Sequence, residues 1–131
     1  MESQLKENDK IKFLNVVGNS MYPTIQENDV LIVSNQKKIN IGDIISFKSD
    51  TSLIVTHRII ELSANSIVTK GDNRWRKDKS IDTSQVIGVI KEGVRIDNHG
   101  TRSIISYRDR KWSSVFNRIG FKYLKKLKII S

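Results

Sequence analysis

Hydrophobic residues in the first three quarters of the chain are grouped in short runs rich in Ile, Val and Phe. Gly, Asn, Asp and Ser separate the runs, a pattern typical of β-strands joined by turns. The runs cover residues 12–17, 29–34, 43–48, 53–62, 66–70 and 85–96. Several of them hold neighbouring apolar residues instead of a strict alternation, which predicts strands buried on both faces in places. We therefore expect a mainly β, compact domain of short, twisted strands.

A different periodicity begins near residue 111. Apolar residues recur there at spacings of three and four, which predicts an amphipathic helix. These residues are Trp112, Val115, Phe116, Ile119, Tyr123, Leu127 and Ile130. Two interpretations stay open, because such a helix either packs on the β domain or lies on an anionic membrane surface. The chain thus divides into a β domain over residues 1–96 and a basic C-terminal segment over residues 97–131.

The positive charge is concentrated in this C-terminal segment. The chain carries a formal net charge of +9 at pH 7. Residues 1–90 hold 12 basic and 11 acidic residues, whereas residues 91–131 hold 11 basic and 3 acidic residues. A nearly neutral domain is therefore followed by a segment suited to an anionic surface. A membrane is the surface we consider, and we expect no nucleic-acid partner.

Several classes of protein do not fit the composition. No window approaches the roughly 18 consecutive apolar residues of a membrane-spanning helix, and the charged start MESQLKENDK is not a secretory signal. We therefore expect a cytoplasmic protein, and a peripheral position at the membrane stays open. The chain has no cysteine, so it has no disulfide and no thiol nucleophile. No metal-binding or nucleotide-binding motif is present, and we expect neither a metal nor a cofactor.

The stretch GNSMYPTI, residues 18–25, holds the first candidate for chemistry. Asn-Ser and Tyr-Pro are turn formers, so a purely structural turn and a turn that presents Ser20 for catalysis both remain open. His57 lies inside the strand-like run SLIVTHRIIEL. A lone histidine in a strand is more often a hydrogen-bonded structural residue than a catalyst. His99, in the string DNHGT, is most simply a solvated turn residue.

Two acidic residues favour a catalytic role for Ser20 and His57 over a purely structural one. The string TKGDNRWRKD places Asp72 in a Gly-Asp-Asn turn and Asp78 six residues later. Such a turn is common in any protein. However, a nucleophilic serine needs a base to take its proton, and the base needs a carboxylate to hold its tautomer. The serine, the strand histidine and the acidic residues of the loop are therefore the residue types that a serine hydrolase requires.

Four motifs in order resemble the type I signal peptidase family, an S24/S26-like group of serine peptidases. They are GNSMYPT, GDIISF at 42–47, VTHRII at 55–60 and TKGDN at 69–73. The family shares its β fold with LexA-type self-cleaving repressors, so the resemblance implies a signal peptidase/LexA-like β domain. It covers about residues 13–90, and the 41 residues that follow, 91–131, resemble no family that we recognise.

The resemblance implies a role for each candidate catalytic residue. Ser20 would be the nucleophile, and its main-chain N–H would help to hold the oxyanion. His57 stands where most bacterial members have a lysine base, as in the Ser-His branch of the endoplasmic reticulum, the archaea and spore-forming bacteria. In that branch the orienting acid aligns with Asp78. Asp72 would shape the site or share this work.

The serine box also implies how substrate is bound. Met21 and Pro23 would shape the groove in which the substrate backbone lies as an added strand. The sequence departs from many members at Gly18, where they have a serine that assists the oxyanion. That side-chain donor is absent in this chain.

We expect a serine endopeptidase that removes a leader or signal segment from a peptide or preprotein substrate. Two alternatives stay open. One is a LexA-type regulator that cleaves only itself, although the eleven residues before the first strand cannot form a helix-turn-helix domain. The other is a non-catalytic peptide-binding module on the same fold. The sequence does not predict the oligomeric state.

Overall fold

A computed structural model describes residues 12–107 and contains one antiparallel sheet of seven strands. The strands are β1 (Lys12–Asn15), β2 (Val30–Ser34), β3 (Ile44–Lys48), β4 (Ile54–Leu62), β5 (Ile67–Lys70), β6 (Val86–Ile96) and β7 (Arg102–Ser106). A 3-10 turn, Thr83–Gln85, leads into β6 and is capped by the side chain of Asp82. The strand order is β1-β2-β6-β3-β4-β5, and β7 also pairs with β6.

The long strand β6 organises the sheet. Its first half pairs with β3, from Phe47↔Val86 to Ile44↔Ile90. Its second half pairs with β7, from Glu92↔Ser106 to Ile96↔Arg102. Strand β2 pairs with the middle of β6 along the opposite edge. Because β6 joins three strands, residues far apart in sequence are brought into one core.

Both faces of the sheet carry buried apolar residues. One core cluster contains Met21, Ile25, Leu31, Val33, Ile44, Ile90 and Tyr107. The other contains Ile45, Phe47, Ile59, Ile67, Ile81 and Val89. Neighbouring residues of β3 and of β6 belong to different clusters, since successive side chains of a strand point to opposite faces. Strands β3 and β6 are therefore buried on both faces in places, as predicted for several of the apolar runs.

The mainly β fold expected from the sequence is confirmed, and each of the six predicted strands begins within one residue of an observed strand. Strand β7 was not predicted. It extends the sheet beyond residue 96, and Tyr107 at its end is fully buried in the first core. The last described residues are therefore part of the sheet and its core, and the boundary of the basic C-terminal segment stays a prediction.

The expected amphipathic helix from about residue 111 lies outside the described residues, and both interpretations of it, packing on the β domain and binding to an anionic membrane, stay predictions. Within residues 12–107, no helix is long and apolar enough to cross a membrane.

A buried carboxylate fixes the start of β2 to β6 and to the end of β7. Asp29 is almost fully buried and accepts two hydrogen bonds of 2.9 Å from Arg95, one from Nε and one from Nη2. The hydroxyl of Tyr107 and the main-chain N–H of Gln26 also donate to it. Burial alone would raise the pKa of Asp29, but the hydrogen bonds from Arg95, Gln26 and Tyr107 hold it below its ordinary value.

This network predicts a pH-dependent contribution to stability. Because its pKa is lowered in the folded state, Asp29 stabilises the fold fully above its ordinary carboxyl pKa of 3.8, and the contribution is lost as the pH falls below that value. The variant Asp29→Asn leaves Arg95 without its counter-charge and should lower the free energy of unfolding by about 3 kcal/mol at pH 7. Denaturant unfolding of the wild type and the variant measures this difference, which should shrink as the pH is lowered.

Asp50→Asn is the matched control, because Asp50 pairs with Lys79 at an exposed surface position. Its effect should stay below about 1 kcal/mol. A difference for Asp29→Asn that is equally small, or that does not change with pH, would contradict the assigned network.

Candidate active site

A tight turn between β1 and β2 carries Ser20. The main-chain N–H of Tyr22 donates to the carbonyl of Asn19 at 3.1 Å, and that of Ile25 donates to Met21 at 3.0 Å. Gly18 begins the turn with φ = 88°, a left-handed conformation that a serine would adopt only with strain. The absence of a side-chain donor at Gly18 is thus consistent with the local backbone. Ser20 itself is half-buried.

The loop after β5 holds the main chain of this serine turn. The main-chain N–H of Asn73 donates to the carbonyl oxygen of Ser20 at 2.8 Å, and its side-chain amide donates to the carbonyl of Asn19 at 3.0 Å. Gly71 approaches so closely that a β-carbon there would lie 2.6 Å from the Ser20 carbonyl oxygen. The same β-carbon would lie 3.1 Å from Nε2 of His57. A side chain at this position would therefore push against both candidate residues.

The histidine in the middle of β4 is paired with an acid. His57 is buried, and its Nδ1 lies 2.5 Å from Oδ2 of Asp78. The same carboxylate oxygen accepts a hydrogen bond of 2.7 Å from the hydroxyl of Thr69. The main-chain N–H of Asp78 donates to the carbonyl of Thr69 at 2.8 Å, which fixes this loop against β5. Two side chains and a main-chain contact thus hold Asp78 in one orientation toward the imidazole.

The charge of this pair follows from its surroundings. Burial alone would raise the pKa of Asp78. The hydrogen bond and the electrostatic interaction with His57 lower it, and so do the hydrogen bond from the Thr69 hydroxyl and the charge of Lys70, so that the pKa lies below its ordinary value. Asp78 is therefore ionised at neutral pH. An ionised carboxylate at Nδ1 favours the tautomer that carries a proton there, which leaves the lone pair of His57 on Nε2.

Ser20 and His57 line the same cavity, which has a volume of about 520 Å³. Its walls come from residues 14–18 next to the serine and from residues 54–56 next to the histidine. Among the hydrogen bonds of residues 12–107, none joins the Ser20 hydroxyl to the imidazole directly. Such bonds are often long in the absence of substrate and shorten when it binds.

The structure places Asp72 apart from the histidine. Its carboxylate accepts hydrogen bonds from Nε and Nη2 of Arg58 at 2.9 and 2.7 Å. It also accepts a hydrogen bond of 2.7 Å from the hydroxyl of Thr24, which belongs to the serine turn. Of the two acids left open by the sequence, Asp78 contacts His57, and Asp72 joins the serine turn to β4.

The two residues expected to shape the substrate groove lie in different environments. Met21 is buried, lines the cavity beside Ser20, and its sulfur accepts a hydrogen bond from the main-chain N–H of Asp72. Pro23 is half-buried and follows a cis peptide bond. It is not among the residues that line this cavity, and its contact with substrate stays a prediction.

Several residues of the site carried no assigned role in the sequence. Thr69 and Arg58 are partners of the two acids, and Gly71 makes room for both candidate catalytic residues. Thr69 and Gly71 stand inside the quoted TKGDN motif, so the motif contained them without revealing their contacts. Among residues 12–107, no group of three or more His, Cys, Asp or Glu side chains is placed to hold a metal ion.

Comparison with known proteins places this fold and site in a family. Residues 1–91 match the Peptidase S24-like family. That match covers more than half of the chain, and the protein belongs to this family. The resemblance to S24/S26-like peptidases drawn from the four sequence motifs is thereby confirmed.

The chain is also similar to a curated eukaryotic protein. It is 30% identical over 91 residues to the signal peptidase complex catalytic subunit SEC11 of Yarrowia lipolytica (strain CLIB 122 / E 150). The similarity covers 58% of this chain and 53% of that protein, so the chain spans about half the length of the curated relative it matches. No solved structure gives a significant match.

Proposed function

We propose that the protein is a serine endopeptidase that removes a leader or signal segment from a peptide or preprotein substrate. Ser20 is the nucleophile, His57 is the general base and Asp78 is the acid that orients it. The observation that carries this proposal is the 2.5 Å contact between His57 Nδ1 and Asp78, made on the wall of the cavity that Ser20 also lines. The similarity to the catalytic subunit SEC11 supports the choice of a preprotein-like substrate.

The chemistry begins with the Ser20 hydroxyl and the free lone pair of His57. As the serine oxygen attacks the scissile carbonyl, its proton moves to Nε2, and the ionised Asp78 stabilises the resulting imidazolium. The imidazolium then gives this proton to the leaving amine, and an acyl-enzyme remains on Ser20. Attack by water, with His57 again as the base, releases the second product and restores the serine.

We assign the oxyanion of the tetrahedral intermediate to the main-chain N–H of Ser20. This N–H makes no hydrogen bond to another group within residues 12–107, which leaves it for the developing negative charge. The hydrogen bond from Asn73 to the Ser20 carbonyl holds the peptide on the other side of the residue. The main chain of the serine turn is therefore held in its reactive geometry before substrate binds.

The cavity offers two walls to an extended peptide. Residues 14–17 comprise the end of β1, an edge strand of the sheet, and the two residues after it, and an extended substrate peptide can pair with this edge as an added strand. Val17 and Ile54, which are 88% and 54% exposed, line opposite walls of the cavity. They give apolar contacts to substrate side chains on either side of the serine.

The first test is whether Ser20 and His57 act as one unit. Ser20→Ala and His57→Ala should each lower turnover of an internally quenched peptide library by about three orders of magnitude or more. The double variant should be little worse than either single one, because both residues serve the same step. Near-normal cleavage by His57→Ala would contradict the assignment of the base.

The wild type and Ser20→Ala also distinguish the proposed enzyme from a self-cleaving regulator and from a peptide-binding module. Self-cleavage would appear in intact-mass spectra as a truncation of the wild type that Ser20→Ala lacks. Peptide binding without Ser20-dependent turnover would identify a binding module and overturn the proposed enzyme.

A second test separates the two acids. Asp78→Asn should lower kcat by about 100- to 10,000-fold, because the amide no longer favours the required tautomer of His57. Its melting temperature should change little. Asp72→Asn leaves the buried guanidinium of Arg58 without its counter-charge and should lower the free energy of unfolding by about 3 kcal/mol. Melting curves and single-turnover kinetics measured on both variants distinguish the roles, and a reversed pattern would exchange them.

A further inference from the structure

One buried cation of the site has no role in the reaction as described so far. Lys70 is the last residue of β5, and only 3% of its surface is exposed. Its Nζ donates to the carbonyl oxygens of Gly71 at 3.0 Å and of Arg74 at 2.6 Å. Within residues 12–107, no carboxylate forms an ion pair with it. A lysine is almost never buried so fully unless its charge is paired, so this arrangement requires an explanation.

The two carbonyls that Lys70 binds mark the ends of one short loop. Residues 71–74 form a turn in which the N–H of Arg74 donates to the carbonyl of Gly71 at 2.9 Å. The middle of this loop supplies Asn73, whose N–H binds the Ser20 carbonyl. The beginning of the loop supplies the close approach of Gly71 to Ser20 and His57. The lysine therefore joins both ends of the segment that contacts the candidate nucleophile.

The contacts of Lys70 also argue against a role as the base. A base needs a lone pair directed at the serine, whereas Nζ of Lys70 donates its protons to two main-chain oxygens. Nε2 of His57 lies next to Gly71, whose main chain approaches the Ser20 carbonyl closely. The lysine thus serves a different purpose from the histidine.

We propose that Lys70 is a positioning residue, which fastens both ends of loop 71–74 and through this loop holds the Ser20 main chain in place for attack. The inference rests on the proposed function, because it assigns Lys70 a part in the same serine-dependent reaction. It differs from a purely structural role, since the segment that the lysine fastens touches the nucleophile.

The electrostatic surroundings of Lys70 predict the pH above which its two hydrogen bonds to loop 71–74 weaken. Burial lowers the pKa of Lys70 to about 8, and the positive charge of Arg58, its register partner on β4, acts in the same direction. The carboxylates of Asp72 and Asp78 oppose the shift. His57 faces the same loop from β4. At neutral pH the ammonium is charged and binds both carbonyls strongly, and it loses this charge above about pH 8.

The contribution of Lys70 to folding stability should rise with pH over the range in which its positive charge, and with it the catalytic activity, is lost. The pKa of Lys70 is lower in the folded state than its ordinary value of 10.5, so the unfolded chain binds more protons between these two values. The contribution of this group to folding stability therefore rises as the pH increases from about 8 to 10.5. A loss of activity in this range does not come from unfolding caused by Lys70.

The experiment compares Lys70→Met, Lys70→Arg and the control Lys48→Met, which changes an exposed lysine at the end of β3. Turnover of internally quenched peptides is measured from pH 6 to pH 10, with melting temperatures at each pH. The wild type and Lys48→Met should lose kcat above about pH 8. Lys70→Met should lower kcat at pH 7 by about 10- to 100-fold, because a slightly displaced serine reacts poorly. Its KM should change by less than about threefold, and its profile should no longer fall above pH 8.

Lys70→Arg keeps a positive charge at every pH of the assay. It should retain more activity at pH 7 than Lys70→Met and should also lack the loss above pH 8. If Lys70→Met does not fold, the comparison of the wild type with Lys70→Arg still decides the proposal. An alkaline loss in Lys70→Arg equal to that of the wild type would overturn it, as would a kcat of Lys70→Met within threefold of the wild type.

These outcomes are distinct from failure of the proposed function. Turnover that depends on Ser20 but not on Lys70 would overturn only the positioning role. A wild type without any Ser20-dependent turnover would overturn both proposals.

Discussion

The buried carboxylate of Asp72 joins the three segments on which the candidate site depends. It binds the hydroxyl of Thr24 in the serine turn and two nitrogens of Arg58 on β4, and it stands in the loop after β5. His57 is the neighbour of Arg58 on the same strand. The loop after β5 and strand β4 cannot move apart without leaving a charge of the Arg58–Asp72 pair unpaired, which is costly. The hydrogen bond from Thr24 attaches the serine turn to the same carboxylate. Asp72 thereby ties the turn that carries Ser20 to the strand that carries His57.

A second buried carboxylate acts on the other side of the same turn. Asp29 pairs with Arg95 of β6, and Arg95 also donates to the carbonyl of Thr24 at 3.3 Å. The fully buried Thr24 thus contacts both networks, one through its side chain and one through its main chain. The serine turn is held from β4 and from β6 at once. Such preorganisation is what a nucleophile needs if little energy is to be spent on orienting it during the reaction.

The sequence predicts most of the fold because its apolar runs and turn residues reflect strand burial directly. It does not predict β7, since only Ile104 and Ile105 are aliphatic there and Ile104 is 70% exposed. That strand is defined by pairing with β6 and by the packing of Tyr107. The order of the motifs brings Ser20 and His57 together, but spacing alone does not choose between the two acids. The choice depends on how the loop after β5 folds back on Thr69, which is a tertiary contact. The local sequence pattern does not predict the pairing of Asp29 with Arg95 either, because these residues are 66 positions apart and meet only in the folded structure.

We propose that Asp78 holds His57 in the tautomer that leaves Nε2 free to act as the base, and the tautomer can be measured directly. The chain has only two histidines, and His99 is exposed in the turn between β6 and β7, so the imidazole resonances are simple to assign. Nitrogen-15 NMR of histidine-labelled protein, recorded at a pH where the imidazole is neutral, reports directly which ring nitrogen carries the proton. We expect a proton on Nδ1 of His57 that is lost or redistributed in Asp78→Asn and is kept in any Asp72→Asn protein that remains folded. A proton on Nε2 in the wild type, or a tautomer that does not respond to Asp78→Asn, would contradict it.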